Sequence, residues 1–255
     1  MSASSLHLLH TQPDARLLSA WVARYHARHE RQPSDLGDAL HGLLRAAFGE
    51  AAPQPFRYLD ERQGLLAYTT LDADAMRIQV ALADPLAAQT LGLGANGQHD
   101  GYRLRPFPTQ WPQGQVLGFE VRLRPVLRTA KGERDAFQHA WDQSPAKPPQ
   151  REAVYVQWLR DHLAPREGAT REAWQGAVDL LDDVHLAGFQ RQQVVRRTQA
   201  AGGEARRGRV TDGPDALLKG HLRVRDSAAF AQLLARGVGR HRAFGFGMLL
   251  LSRPG

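Results

Sequence analysis

The sequence predicts an α+β protein made of two tandem ferredoxin-like domains, each with the element order βαββαβ. In the first half, alternating strand-like stretches and apolar helical stripes follow one another in that order. In the second half, strand-like stretches and helices are again able to form a sheet with helices on one face. The predicted domains span residues 1–105 and 116–255, and a proline-rich segment at residues 106–115 joins them.

The first half begins with a weakly alternating stretch, SSLHLLH, which predicts a strand. A helix is predicted after Pro13 and Asp14, with an apolar face formed by Leu17, Leu18, Trp21, Val22 and Tyr25. A second helix is predicted to start at an N-cap, Ser34, with Asp35 in its first turn, and to end at Gly49. Its apolar stripe consists of Leu36, Leu40, Leu43, Leu44, Ala47 and Phe48.

Three further segments complete the first half. PFRYLDERQGLLAYTTL predicts two strands joined by a turn near Gln63 and Gly64. DADAMRIQVALAD then predicts a helix, and QTLGL a short fourth strand. Together with the preceding elements, these segments give the ferredoxin-like order.

The second half opens with VLGFEVRLRPVLRT, which predicts one long alternating strand, followed by a helix in REAVYVQWLRDHLA. AWQGAVDLLDDVHLAGF indicates a helix that runs into a strand. RQQVVRRTQAAGGEARRGRV has strand-like ends around Gly202 and Gly203. The remaining segments predict a strand in ALLKGHLRVRD, a helix in SAAFAQLLARG with Ser227 as N-cap, and a final strand in AFGFGMLLLS.

Composition narrows the classes of function. The 255 residues carry a net charge of +7, and all but three of the 33 basic residues are arginines. Because guanidinium groups bind phosphate and guanine bidentately, a polyanion is the first candidate partner. The absence of cysteine excludes disulfides, zinc–thiolate sites and thiol catalysis. The sequence shows neither a secretory signal pattern nor an apolar run of membrane-spanning length, so we expect a cytoplasmic protein without membrane contact.

Near the C-terminus, RGVGRHRAFGFGMLLLSRPG places four glycines around three basic residues and directly before an apolar run. Glycine suits a position where φ is positive or where backbone approaches a phosphate closely. The stretch is not a Walker loop, because no Gly-Lys-Ser/Thr follows. It is not a dinucleotide fingerprint either, because it follows a helix and precedes a strand. A turn required only by the fold is the alternative interpretation.

Residues 218–252, LKGHLRVRDSAAFAQLLARGVGRHRAFGFGMLLLS, resemble the C-terminal signature of the CRISPR repeat-processing endoribonucleases. In that family a G-x-L-x-V-x-D strand leads to a helix and then to GIG-x-x-K/R-x-FG-x-G-L-L. VRLRPVLRTAKGERDAF is more loosely similar to the family's F-x-L-R-A-N-P strand. DALHGLLRAAFGEAAPQPFRY is similar to its LH-x-x-LW-x-LF helix and following P-F-x-F strand. The type I-E enzyme is the most similar subgroup, with a type IV counterpart as the alternative.

The sequence departs from this family in three places. The first helix is longer, Asp38 stands where the family often has tyrosine, and Leu44 replaces tryptophan. The resemblance implies that the glycine-rich loop lies against RNA near the cleft between the domains. The loop residues expected to bind phosphate there are Gly237, Gly239, Arg240, Arg242, Gly245 and Gly247.

The resemblance also matches His41 to the family's catalytic histidine. On the predicted helix, His41 shares a flank with Asp38 and Arg45. Histidine titrates near neutrality and can transfer a proton, Arg45 would hold the phosphate, and Asp38 would orient the imidazole. The alternative is a surface histidine on a polar helical flank.

RYHARH contains a rival set of proton-transfer groups, Tyr25 and His26, with His29 close by. Tyr25 also completes the apolar face of its helix, so core packing is the alternative role for its ring. No carboxylate pattern accompanies His26 and His29, and we expect neither a metal site nor a cofactor.

Two further groups of arginines are candidate RNA contacts. Arg24, Arg28 and Arg31 line one side of the first helix. Residues 191–209 contain six arginines and one glutamate, Glu204; within this segment we expect RNA contacts at Arg196, Arg197, Arg206 and Arg207. A solvated charged hairpin is the alternative.

The resemblance implies that the protein binds a CRISPR repeat stem-loop and cuts the precursor RNA beside it. The implied reaction is attack of a ribose 2′-OH on its own 3′-phosphate, which leaves 2′,3′-cyclic phosphate and 5′-OH ends without a metal. The protein is then expected to stay bound to its product and to join other subunits of an RNA-guided complex. A non-catalytic RNA-binding scaffold, favoured by Asp38, is the alternative; a DNA-binding regulator is weaker, because no helix-turn-helix pattern stands out.

Overall fold

The structure is a computed structural model. It describes residues 5–28, 35–94, 101–130, 132–147, 149–165, 172–197 and 208–254. The described residues form two main antiparallel sheets, one in each half of the chain, and a small separate hairpin. Within these residues, no helix combines the length and apolar character that crossing a bilayer requires.

The first sheet has the ferredoxin-like strand order β2-β3-β1-β4, with every neighbouring pair antiparallel. This confirms the predicted fold class for the first half. Its strands are β1 (Leu6–Thr11), β2 (Phe56–Asp60), β3 (Gly64–Thr69) and β4 (Tyr102–Phe107), and its helices are α1 (Ala15–Arg28), α2 (Leu36–Phe48), α3 (Ala73–Leu82) and α4 (Pro85–Leu91).

The second sheet has the order β11-β5-β10-β8, and β9 also pairs with β10. Strands β6 and β7 form the small hairpin. This half contains β5 (Val116–Leu123), β6 (Val126–Thr129), β7 (Gly132–Asp135), β8 (Val178–Leu180), β9 (His185–Arg197), β10 (Gly208–Val224) and β11 (Leu249–Ser252), together with α5 (Ala136–Gln143), α6 (Arg151–Leu163) and α7 (Ser227–Arg236).

Strand β1 lies between the two hydrophobic cores. Leu9 packs in the first core with side chains of α2 such as Leu43. Leu6 and Leu8 are buried in the second core, which also contains Phe230 of α7. Successive side chains of a strand point to opposite faces. The first sheet therefore has its own helices on one face and the second half of the chain on the other.

The prediction of a fourth strand in QTLGL was wrong. QTLGL belongs to α4 and the turn that follows it, because Asp84 accepts a hydrogen bond from the Ala87 N–H, 2.8 Å away, and Pro85 occupies the first turn. Gly92 then ends the helix in the left-handed conformation. The fourth strand is β4, which begins before the predicted linker and extends into it.

The two predicted N-caps also differ from those observed. Asp35 caps α2 by accepting a hydrogen bond from the Asp38 N–H, 3.1 Å away, whereas Ser34 lies outside the described residues. Asp226 caps α7 through the Ala229 N–H, 2.8 Å away. Ser227 is the first helical residue, and its hydroxyl accepts a hydrogen bond from the backbone N–H of Trp111 instead.

Two predictions for the second half were also wrong. The single long strand predicted after residue 115 is divided into β5 and β6 at Arg124 and Pro125, because proline has no N–H to donate to a ladder. The helix predicted in AWQGAVDLL is absent from residues 172–180, which form a turn at Gly176 and then β8. The strand-like ends around Gly202 and Gly203 are confirmed as β9 and β10, although the tip between them lies outside the described residues.

Candidate functional site

The start of α2 lies directly against the glycine-rich loop, residues 237–247. A Cβ atom on Gly37 would stand 2.4 Å from the carbonyl oxygen of Phe244, so only glycine allows the two backbones to come this close. One helical turn further on, the half-buried ring of His41 lies 5.1 Å from the ring of Phe244, with 56° between their planes. The structure therefore brings together the candidate catalytic histidine and the glycine-rich loop.

The four loop glycines all have positive φ, between 73° and 83°. A Cβ on Gly247 would lie 2.2 Å from the carbonyl oxygen of Val238. Three of the four backbone amides bind acceptors within the protein: Gly237 donates to the Leu233 carbonyl, Gly239 to the His162 imidazole, and Gly247 to the Arg122 carbonyl. The fold thus uses these glycines itself, and three of the amides expected to face phosphate already have protein partners.

An open groove of about 620 Å³ runs along the loop. Arg236, Arg240 and Arg242 line it together with His241 and Phe244. Burial lowers the pKa of Arg236 and of Arg242, and the charge of Arg242 lowers that of Arg236 further. The Arg242 side chain also donates a hydrogen bond to the Arg236 carbonyl, 2.7 Å away. We call this the cationic groove; its guanidinium groups favour a polyanionic ligand.

Glu133 of β7 binds two residues of the loop. Its Oε1 accepts a hydrogen bond from Arg240 Nη1 at 3.0 Å, and its Oε2 lies 2.8 Å from His241 Nε2. The hydrogen bond with His241 holds the pKa of Glu133 below its usual range although burial opposes this; the charges of His241, Arg240 and Arg124 lower it further. The sequence did not point to Glu133 because β7 meets the loop only in the tertiary structure.

The rival cluster is divided between two surfaces. The ring of Tyr25 packs on Gly42, where a Cβ atom would lie 2.3 Å from Tyr25 Cε2, so the phenol reaches α2 next to His41. His26 is buried and lines another groove, which includes Leu36 and Tyr58. His29 lies outside the described residues. Of this cluster, Tyr25 is the side chain whose contact with α2 lies at Gly42, the residue after His41.

The two polar neighbours predicted for His41 have different environments. Asp38 is buried, with 6% of its surface exposed, so α2 is shielded from solvent at this position. Arg45 is exposed and forms an ion pair with Glu50 through two hydrogen bonds, one of them 3.0 Å long. The hydrogen bond with Glu50 raises the pKa of Arg45 above its ordinary value. Arg45 would have to exchange Glu50 for a phosphate to play the predicted role.

The arginines predicted to contact RNA are described only in part. The side chain of Arg24 is exposed, and Arg28 is the last residue of α1. Arg196 pairs with Arg209, and Arg197 with Gly208, in the β9–β10 ladder. Arg31, Arg206 and Arg207 lie outside the described residues.

Sequence reasoning missed a second arginine site, in a cleft of about 370 Å³ between β2 and the second sheet. Arg57 enters this cleft from β2 and Arg122 from β5. Arg122 forms two hydrogen bonds with Asp215, of 2.8 and 2.6 Å, and its guanidinium lies 4.6 Å from the ring centre of Phe246 in the glycine-rich loop. The alternation of VLGFEVRL indicates which strand residues share a face, but it does not show that Arg57 of the first sheet faces Arg122.

Comparison with protein families gives one match, to a family described as CRISPR associated protein, over residues 16–253. Comparison with curated proteins finds no significant match.

Solved structures with a similar fold cover almost the whole chain. The CRISPR endoribonuclease Cse3 bound to 19 nt RNA has a TM-score of 0.60 at 21% identity, over 98% of this chain and 100% of its own. Cse3 of Thermus thermophilus, bound to an RNA that represents a pre-cleavage complex, has a TM-score of 0.56 at 18% identity, over 97% and 99%. A chain of a CRISPR RNA-guided surveillance complex in a pre-nicking state has a TM-score of 0.51 at 15% identity, over 97% and 100%.

Proposed function

This chain belongs to the CRISPR associated protein family, and on that premise we propose that it binds the repeat stem-loop of a precursor CRISPR RNA and cleaves the RNA beside it. The observation that carries the proposal is the contact between the rings of His41 and Phe244, because Phe244 also lines the cationic groove. A proton-transfer group and several guanidinium groups are thereby available to one phosphodiester.

The proposed reaction is an internal transesterification. The ribose 2′-oxygen attacks the adjacent phosphorus, a bond from O2′ to phosphorus forms, and the bond from phosphorus to O5′ breaks. The 2′-hydroxyl gives its proton to a base and the O5′ leaving group receives one from an acid, so the products are a 2′,3′-cyclic phosphate and a 5′-hydroxyl. Because the nucleophile is part of the substrate, the protein has only to align it, move two protons and stabilise the added negative charge.

The residues take separate roles in this proposal. His41 transfers one of the two protons, and Tyr25, whose ring packs on Gly42 of the same helix, is the next candidate for the other. Arg240 and Arg242 neutralise the phosphate from the cationic groove, to which the structure adds Arg236. Arg45 and His26 remain candidates with less direct placement, since Arg45 is paired with Glu50 and His26 lines another groove.

The named relatives support the same substrate and partners. Two of the similar structures are endoribonucleases bound to RNA, and a third is a chain of an RNA-guided surveillance complex. We extend this to the present chain: it holds the cleaved repeat RNA in the cytoplasm and contacts other subunits of such a complex. Neither a metal nor an organic cofactor takes part in the proposed step.

The test is cleavage of a repeat RNA in EDTA, with both new ends mapped. We expect cutting to persist and to leave the cyclic phosphate and 5′-hydroxyl ends. A single 2′-deoxyribose 5′ of the scissile phosphate should abolish cutting, whereas the same substitution one nucleotide away serves as the matched control. Normal cutting of the first deoxy substrate would exclude the mechanism.

A second function, that of a non-catalytic RNA-binding scaffold, is favoured by one residue. Asp38 stands where the resembling family often carries tyrosine, and its side chain is buried rather than open to a ligand. The same assay separates the two functions. A scaffold would bind the repeat RNA tightly and leave it intact with or without divalent cations.

A further inference from the structure

Glu133 connects three parts of the protein that are distant in the sequence. The residue belongs to β7 of the small hairpin and hydrogen-bonds with Arg240 and His241 of the glycine-rich loop. His241 is, among the described residues, the only residue other than glycine with a positive φ, at 61°. A residue with a Cβ atom is strained in this conformation, so it persists only where surrounding contacts hold it.

His241 contacts Phe244 within the glycine-rich loop. The carbonyl of His241 accepts a hydrogen bond from the Phe244 N–H, 2.9 Å away, and their rings lie 6.3 Å apart. On its other side, Phe244 contacts His41 through its ring and Gly37 through its backbone. A chain of direct contacts therefore runs from Glu133 through His241 and Phe244 to His41.

The exposed fractions of these side chains favour a positioning role for Glu133 over direct contact with a ligand. The side chain of His241 is 10% exposed and that of Glu133 is 20% exposed, whereas that of Arg240 is 48% exposed. Glu133 is not among the residues that line the cationic groove. The carboxylate is thus less exposed than the Arg240 side chain that it binds. Because the pair is largely buried, removing one partner would leave the other without its compensating group.

We propose that Glu133 is a positioning residue, which holds His241 in its left-handed conformation and thereby fixes Phe244 against His41. The proposal rests on the proposed function, in which His41 transfers a proton during RNA cleavage. The charged and titratable groups that face Glu133 are Arg240, His241 and Arg124. Glu133 acts through these contacts and does not itself touch the reacting phosphate.

The first experiment follows the ring of His41 in the RNA-free protein, independently of cleavage. The ring resonances of His41 are assigned by their loss in His41→Gln and compared between wild type, Glu133→Gln and Glu133→Ala. Since Phe244 lies against His41, its aromatic ring current makes these resonances sensitive to the loop. Asp142→Asn is the matched control, because Asp142 pairs with Arg134 of the same strand and not with the loop.

We expect the His41 resonances to move in both Glu133 variants, more in Glu133→Ala, and to stay at the wild-type position in the control. Melting temperatures of all four proteins establish that each is folded. If a folded Glu133→Ala protein has wild-type His41 resonances, the positioning role is excluded.

The second experiment is a double-mutant cycle in single-turnover cleavage of repeat RNA. We expect Glu133→Ala to slow cleavage about tenfold or more while RNA affinity changes by less than about threefold. In a His41→Ala background the same substitution should have no further effect, because its influence passes through His41. An equal slowing in both backgrounds, or a gain in affinity with unchanged cleavage, would overturn the proposal.

The two experiments also separate this inference from the proposed function. If His41→Ala cleaves as fast as wild type, the catalytic role of His41 fails. In that case the His41 resonances alone decide whether Glu133 positions the ring.

Discussion

The hydroxyl group of Tyr68 donates a hydrogen bond to the backbone carbonyl oxygen of Leu249, 3.0 Å away. Tyr68 belongs to β3 of the first sheet and Leu249 to β11 of the second, and both residues are buried. Burial raises the pKa of the Tyr68 phenol well above its ordinary value, so it stays protonated and remains a donor. This bond joins the two halves of the protein directly after the glycine-rich loop.

Tyr68→Phe should destabilise the protein without disturbing its packing, because it leaves a buried carbonyl without its donor. We expect a loss of about 1–3 kcal/mol in the free energy of unfolding, measured by urea denaturation. Tyr58→Phe is the matched control in β2 of the same sheet, where we expect a change of no more than about 0.5 kcal/mol. Equal effects of the two substitutions would mean that the bond between the sheets contributes nothing specific.

His41→Ala should slow the cleavage of repeat RNA without weakening RNA binding. A general acid or base contributes roughly 10²- to 10⁴-fold to the rate, and we expect single-turnover cleavage of repeat RNA to slow by that factor. The dissociation constant of the RNA should remain nearly unchanged, and His139→Ala on α5 provides the histidine control. A loss below about threefold would transfer the proton-transfer role to Tyr25 or His26, or indicate a site that uses arginines alone.

Arginines of the segment 191–209 should contribute to RNA affinity through phosphate contacts. The paired variants Arg196→Ala with Arg197→Ala, and Arg206→Ala with Arg207→Ala, are titrated with repeat RNA at several salt concentrations. Each lost contact should flatten the plot of log K against log salt, by about 0.9 for duplex nucleic acid. The loss should be similar for different stem sequences, since duplex RNA is bound mainly through its shape and backbone.

A double variant of two exposed arginines of the first half, Arg62→Ala with Arg77→Ala, removes the same charge and serves as the control. If both pairs of variants leave the RNA affinity and the salt slope unchanged, the segment 191–209 is only a solvated surface. RNA binding would then be assigned to Arg24 and Arg28 of α1, to Arg31, and to Arg240 and Arg242.

The stability that Glu133 contributes should depend on pH. Its pKa is lower in the folded protein than in the unfolded chain, chiefly through the hydrogen bond with His241, so the native state holds the proton less tightly. The contribution is therefore fully present above the unfolded pKa of about 4.3 and is lost as the pH falls through the folded pKa. Urea denaturation of wild type and Glu133→Gln at neutral pH and down to about pH 3 measures it.

We expect the two proteins to differ by roughly 1.5–3 kcal/mol at neutral pH, as for other hydrogen bonds to charged groups. The difference should shrink as the carboxylate is protonated in the acid range. A constant difference across the whole range would show that charge plays no part in the contact.

The candidate site could be predicted from the sequence where its chemistry lies in one short segment. The four glycines around Arg240 and Arg242, and the histidine in DALHGLL, are visible in this way. Glu133 and Arg57 could not be identified as site residues, because no pattern in their strands indicates which distant residues they contact. The roles of the loop glycines also required the structure, since the partners of their amides come from α6, α7 and β5.

The sequence by itself determined the α+β class, most of the helices and strands, and the family, because periodicity, turn residues and short motifs act within a few residues. It failed locally at QTLGL, where a carboxylate cap and a proline outweighed the strand-like composition. Only the tertiary structure decided that α2, β7 and the glycine-rich loop meet around Phe244. That meeting depends on which faces of two sheets bury each other, and no interaction between neighbouring residues specifies it.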